Sequence, residues 1–151
     1  MAAEYLANEE QLVALNNPVL FNASIPCTRG NVYHVDGTGI FILRGNTNNC
    51  FARYQVTFNA NIAIPTGGAI SAIAVAISEN GETRPSSIAI YTPTVVEAEG
   101  NVTSTAIITV PRGCCFNVAV RYVDATVEDA AVTPTPTIEV QNANLVINRI
   151  A

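Results

Sequence analysis

At 151 residues, with 49% apolar and only 13% charged side chains, the chain is long enough for one domain with a real core and too apolar to be disordered. Twelve acids against seven bases leave a net charge of −5, which excludes a basic, phosphate-neutralising surface and so argues against nucleic-acid binding. No apolar run approaches the roughly 18–20 residues of a bilayer-spanning helix, so no membrane partner is expected.

So low a charged fraction implies that much of the surface is covered, and further copies of the same chain are the simplest cover. Every base is Arg and none is Lys, a bias toward planar, bidentate contacts over simple solubilisation. The opening residues MAAEYLANEEQLVALNN contain no basic stretch, apolar stretch or cleavage pattern of a secretory leader. Synthesis in a cytoplasm without classical export is the expectation.

In chain order, Asn8-Glu9-Glu10-Gln11 has the form of a capping box and predicts one or two helical turns through Leu15, stopped at Asn16-Asn17-Pro18. Short strands are expected over residues 21–27, 31–35 and 39–43, joined by Gly-rich turns. From Arg53 onward the pattern is strand after strand. Tyr54, Val56, Phe58, Ala60, Ile62 and Ile64 alternate with mostly polar residues, the period of a half-buried strand. Pro65-Thr66-Gly67-Gly68 ends it.

Residues 70–78 are apolar on both faces, with Ile73, Val75 and Ile77 on one and Ala72, Ala74 and Ala76 on the other. Such a strand must be covered on both sides, in the core or by a neighbouring subunit. Glu79-Asn80-Gly81-Glu82 reads as a hairpin turn. Residues 87–91, 102–110, 116–124 and 137–150 complete the strand list. Many short antiparallel strands with Gly/Pro turns and little helix predict an all-β, antiparallel jelly-roll sandwich.

The candidate chemistry is thin. Cys27, Cys50, Cys114 and Cys115 lack the C-x₂₋₄-C spacing of a zinc site and the C-x-x-C of a redox motif. Adjacent strand residues face opposite ways, so Cys114 and Cys115 are expected to fill space on either side of a sheet, with disulfides left open. His34 is the only histidine, and a lone strand histidine is expected to be structural. The acids are scattered in turns, with no calcium-loop pattern. No catalytic residue, cofactor or metal ligand is assigned, and an enzyme is not expected.

Several segments together carry a resemblance: Arg53-Tyr54-Gln55-Val56-Thr57-Phe58, Ile64-Pro65-Thr66-Gly67-Gly68, Val110-Pro111-Arg112-Gly113-Cys114-Cys115, and Val140-Gln141-Asn142-Ala143-Asn144-Leu145-Val146-Ile147. They resemble the trimeric, tumour-necrosis-factor-like jelly-roll domains of Firmicutes phage head decoration proteins and of collagen-like exosporium proteins. The likeness covers roughly residues 50–151, and the chain lacks the Gly-X-Y stalk of the exosporium members.

The resemblance implies a homotrimer standing on a phage capsid as a decoration (auxiliary head) protein, a virion component made in the host bacterial cytoplasm, with the major capsid protein as partner. The alternatives are a spore-surface trimer or a carbohydrate-binding jelly roll. With the N-terminal reading above, the chain is expected to divide into an extended, partly helical arm over residues 1–45, in which it departs from the exosporium members, and a trimerising jelly roll over 46–151. Tyr5, Leu6, Leu12, Val13, Leu15, Val19, Leu20 and Phe21 would anchor the arm to the shell. Ile73, Val75, Ile77, Leu145 and Ile147 would line the trimer seam. Deleting residues 2–21 should then leave a folded trimer that no longer binds capsids.

Overall fold

The computed structural model describes residues 2–25, 31–124 and 135–151. Over these residues the strands are β1 (Ala2–Ala7), β2 (Gln11–Ala14), β3 (Ala23–Ile25), β4 (Val32–His34), β5 (Phe41–Arg44), β6 (Phe51–Ala63), β7 (Ile73–Glu79), β8 (Glu82–Thr83), β9 (Ala89–Tyr91), β10 (Gly100–Pro111), β11 (Cys115–Val123) and β12 (Thr137–Arg149). The only helical element among the described residues is a single 3-10 turn, Pro85–Ser87.

Strand pairing follows from alternation. In β6 every second side chain from Ala52 to Ile62 is fully buried, and β10 repeats the pattern beside it in an unbroken antiparallel register from Gly100↔Ile62 to Pro111↔Phe51. The first six-stranded sheet runs β10-β6-β12-β1-β3, with β2 following β1 along the same edge of β12. The second runs β4-β5-β11-β7-β8, with β9 also on β7. All pairs are antiparallel, and the two sheets enclose one apolar core. This is the expected jelly-roll sandwich.

Aromatic rings tie the layers together. Phe21 meets Phe41 of the second sheet edge-on at 5.4 Å between centroids and Phe58 of the first at 6.3 Å. Each such fully buried side chain contributes roughly 1.5–3 kcal/mol by leaving water. Asn80 and Gly81, both at positive φ, form the predicted tight turn between β7 and β8. At Gly45 a side chain would collide with the Pro111 carbonyl, so the close approach of these two loops requires glycine.

The N-terminal region departs from expectation. The predicted helical turns at 8–15 are absent. β2 instead pairs with β12 from Thr137↔Ala14 to Val140↔Gln11, and the Gln11 side chain clips the Leu20 backbone, with Nε2 donating to the carbonyl at 2.9 Å and Oε1 accepting the N–H at 3.0 Å. Tertiary pairing outweighs a local capping signal when the partner strand offers a full ladder. Beyond β2 the chain crosses to the other layer, where the Asn16 N–H donates to the Tyr122 carbonyl at 2.8 Å and the Val19 N–H to the Val120 carbonyl at 2.7 Å.

Nor is residues 1–45 a separate arm. β1 lies between β12 and β3, and Ala3, Tyr5, Ala7, Val13, Val19 and Phe21 belong to the common core. Of the eight expected anchors, Tyr5, Val13, Val19 and Phe21 are therefore occupied within the chain itself. Leu6 and Leu15 are half-buried. Only Leu12 and Leu20 are well exposed, at 65% and 47%.

Candidate interaction face

The same parity argument relocates the seam residues. Ile73, Val75, Ile77, Leu145 and Ile147 are at most 1% exposed, packed between the sheets of a single chain, and cannot meet a neighbour. Their strands do have a second face. On β7 it holds the small buried cluster of Ala74 and Ala76 with Val123 of β11. On β12 it holds Asn144, Val146 and Asn148, which flank the inward Leu145 and Ile147 and point away from the core.

That outward face of the first sheet is the molecule's most distinctive surface. Across β10, β6, β12 and β1 the register aligns Thr105, Thr57, Val146 and Glu4 in one row, and Thr103, Asn59, Asn144 and Leu6 in the next. Neighbouring rows hold Ile107, Gln55 and Asn148, and Asn101, Asn61 and Gln141. Ten of these fourteen side chains are uncharged Asn, Gln or Thr, and only Glu4 carries a charge. Many bond across strands: Asn101 Nδ2 donates to Asn61 Oδ1 at 3.2 Å, Thr103 Oγ1 to Asn59 Oδ1 at 3.0 Å, and the Thr57 and Thr105 hydroxyls lie 3.2 Å apart.

Apolar groups complete it. Ile107 is 51% exposed, and Phe51, at 38%, lies at the rim under the Arg53 guanidinium, 4.7 Å from its ring centroid. The uncharged character ends where β6 ends. There burial, and then the charges of Glu10, Glu97 and Glu99, raise the carboxyl of Glu139 above the ordinary carboxylate range. Glu97 itself accepts from Thr66 Oγ1 at 2.6 Å.

The other candidate groups are positioned for structure. His34 stacks on Phe41 at 4.1 Å with its ring nitrogens 3.1 and 3.2 Å from the carbonyls of Ile40 and Phe21. Among the described residues no nucleophile stands among its hydrogen-bond partners. Tyr54 and Tyr122 are buried with their hydroxyls donating to the carbonyls of Arg44 and Thr135, at 2.6 and 2.7 Å. Desolvation by burial raises both phenols, Tyr122 to about 12. Among the described residues no group of three His, Cys, Asp or Glu side chains could hold a metal ion.

The thiols do not pack as expected. Cys50, Cys114 and Cys115 are all exposed, while Cys27 lies outside the described residues. β11 begins only at Cys115, and Cys114 sits in the tight turn whose Gly113 has φ 77°, so strand alternation never reaches the pair.

No protein-family model and no curated protein matches the chain. Solved structures do. The globular domain of zebrafish complement 1qA superposes with a TM-score of 0.64 at 15% identity, over 99% of this chain and 97% of that one. Eiger TNF from S. frugiperda gives 0.68 at 14%, over 100% and 92%. Murine APRIL at pH 5.0 gives 0.59 at 10%, over 99% and 98%. The chain thus has the jelly-roll fold shared by tumour-necrosis-factor and complement C1q domains, along its whole length. The resemblance had pointed to this fold from residues 50–151, and the first fifty residues share it.

Proposed function

We propose that this protein is a non-enzymatic structural subunit that assembles as a homotrimer through the outward face of β10, β6, β12 and β1. The observation that carries this reading is the near absence of charge on that face. An isolated sheet face in water is ordinarily studded with Lys and Glu, whereas this one offers amides, hydroxyls and scattered apolar groups that can be buried against a like surface at low desolvation cost. The role most consistent with such a trimer, given the resemblance to phage head decoration proteins, is decoration of a capsid shell. Leu12 and Leu20 are then the shell contacts available near the N-terminus, since the other expected anchors are core or half-buried.

Light scattering coupled to gel filtration tests the assembly. The native protein should elute with the mass of three chains. Thr57→Arg, which places charge at the centre of the face, should elute as one chain with an unchanged β-rich circular dichroism spectrum. A native protein that is monomeric at micromolar concentration overturns the reading. Co-sedimentation with shells lacking the protein tests decoration, and Leu12→Asp/Leu20→Asp should abolish it while the trimer persists.

A further inference from the structure

Cysteine is among the residue types most often fully buried, yet Cys50, Cys114 and Cys115 are all open to solvent. The fold gathers them at one end. The Arg112 N–H donates to the Cys50 carbonyl at 2.9 Å, the Gly45 N–H to the Cys114 carbonyl at 2.8 Å, and the Gly113 N–H to the Gly45 carbonyl at 3.1 Å. Cys115 pairs with Arg44 across β11 and β5. These bonds fasten the loop before β6 to the turn after β10, beside an open concavity of about 460 Å³ lined by Gly45, Asn46, Thr47, Asn48, Arg112 and Gly113.

Among the described residues the charge at this end is mostly positive, opposite to that of the chain, with Arg149 Nε donating to the Ala151 oxygen at 3.1 Å. Arg44, Arg53, Arg112 and Arg149 all lie on it; Arg149 Nη2 donates to the Asn46 carbonyl at 2.8 Å in the same loop, and Arg53 is three residues beyond Cys50. The nearby β7–β8 turn carries Glu82 and Glu79, the latter already paired with Arg84 at 2.8 Å. The acids grouped around Glu139 are at the far end of β6. A chain of net charge −5 thus presents its thiols on a cationic end.

We propose that this end is a thiol–disulfide exchange site selective for anionic, low-molecular-weight disulfides of the glutathione type. In the step, a protein thiolate attacks one sulfur of the disulfide and the S–S bond breaks. The released thiolate takes up the proton that the protein thiol gave up. The protein cysteine is oxidised to a mixed disulfide and half of the small disulfide is reduced to its thiol. The arginines act by steering, raising the local concentration of an anionic reactant, while exposure supplies access. Protein–protein bridging is disfavoured by the same charges, because two such ends repel. The site meets the proposed assembly face only at its Arg53 rim, and its thiols lie in the loops and the strand start beyond that face, so the inference does not depend on the assembly.

The test compares oxidised glutathione (anionic), cystamine (cationic) and 2-hydroxyethyl disulfide (neutral), each rate divided by its rate with 2-mercaptoethanol, an uncharged thiol. Adducts are followed by intact mass spectrometry and located by peptide mapping. At low ionic strength the normalised rate for oxidised glutathione should exceed that for cystamine by about tenfold, with adducts on Cys50, Cys114 or Cys115. The preference should collapse at high salt and in Arg112→Glu, and Arg112→Gln should fall between. Equal normalised rates, adducts confined to Cys27, or disulfide-linked dimers formed ahead of adducts would overturn the proposal. Should Arg112→Glu fold poorly, the salt dependence of the native protein decides alone.

Discussion

Replacing Tyr122 by Phe removes one oxygen from the core, and the structure fixes what that should cost at two pH values. Tyr122 is fully buried and donates to the Thr135 carbonyl at 2.7 Å. Without the hydroxyl that carbonyl loses this donor, a penalty of about 1–3 kcal/mol at pH 8. Burial, reinforced by the nearby Asp124 charge, holds the phenol proton on until about pH 12, against 10 for an ordinary tyrosine. A pKa raised in the folded state gives stability that is whole below the unfolded value and lost as pH rises through the folded one. At pH 11 the unfolded chain has released this proton and the folded chain has not. The native protein is then about 1.4 kcal/mol less stable than at pH 8 on this account alone. Tyr122→Phe has no such proton to lose. Urea unfolding followed by circular dichroism should therefore show the variant less stable at pH 8 and the gap narrowed by about 1.4 kcal/mol at pH 11. Equal stability at pH 8, or a gap unchanged at pH 11, would refute the burial argument.

Deleting residues 2–21, which an anchoring-arm picture would tolerate, should instead prevent folding, because it strips β1 and β2 from β12 and removes Tyr5, Val13, Val19 and Phe21 from the core; loss of the native spectrum and of soluble yield is the readout. Glu139→Gln should raise the melting temperature at pH 7, since burial first, and then the charges of Glu10, Glu97 and Glu99, raise the Glu139 carboxyl above the ordinary range. That advantage should disappear as the pH drops below the ordinary carboxylate range, where folded and unfolded carboxyls are both neutral.

The strand-rich region was readable because burial and sequence share a period. Tyr54 to Ile62 alternate with Gln55 to Asn61, and the structure buries the first set completely. The Asn80-Gly81 turn was equally plain, since few other residue pairs adopt two successive positive φ values. What failed were judgements that needed the partner. Asn8 to Gln11 carry a helix-start signal, and only the free edge of β12, some 130 residues away, makes them strand. The trimer seam was assigned to the most apolar side chains, Ile73 to Ile77 and Leu145 to Ile147, which a sandwich claims for its own interior first. In the proposed assembly the interacting half of the pattern is the polar half. Its signal was present in the sequence, as alternate positions rich in Asn, Gln and Thr with hardly a charge among them, but polar strand faces are ordinarily passed over as solvent-exposed.

The crossing of residues 11–19 from one sheet to the other has a consequence for the order in which the fold can be made. β2 needs β12, and the segment after it needs β11, so these early strands wait for ones made much later. β6 likewise has only β10 beside it until β12 slots between β6 and β1. Until then a long ribbon with one apolar face is open on one edge, and closing it requires joining residues as far apart as Tyr54 and Arg149, which makes for slow folding. The second sheet needs nothing beyond β11, but the first stays unfinished until β12 is made, and copies emerging side by side have an interval in which one chain's β12 can complete another's.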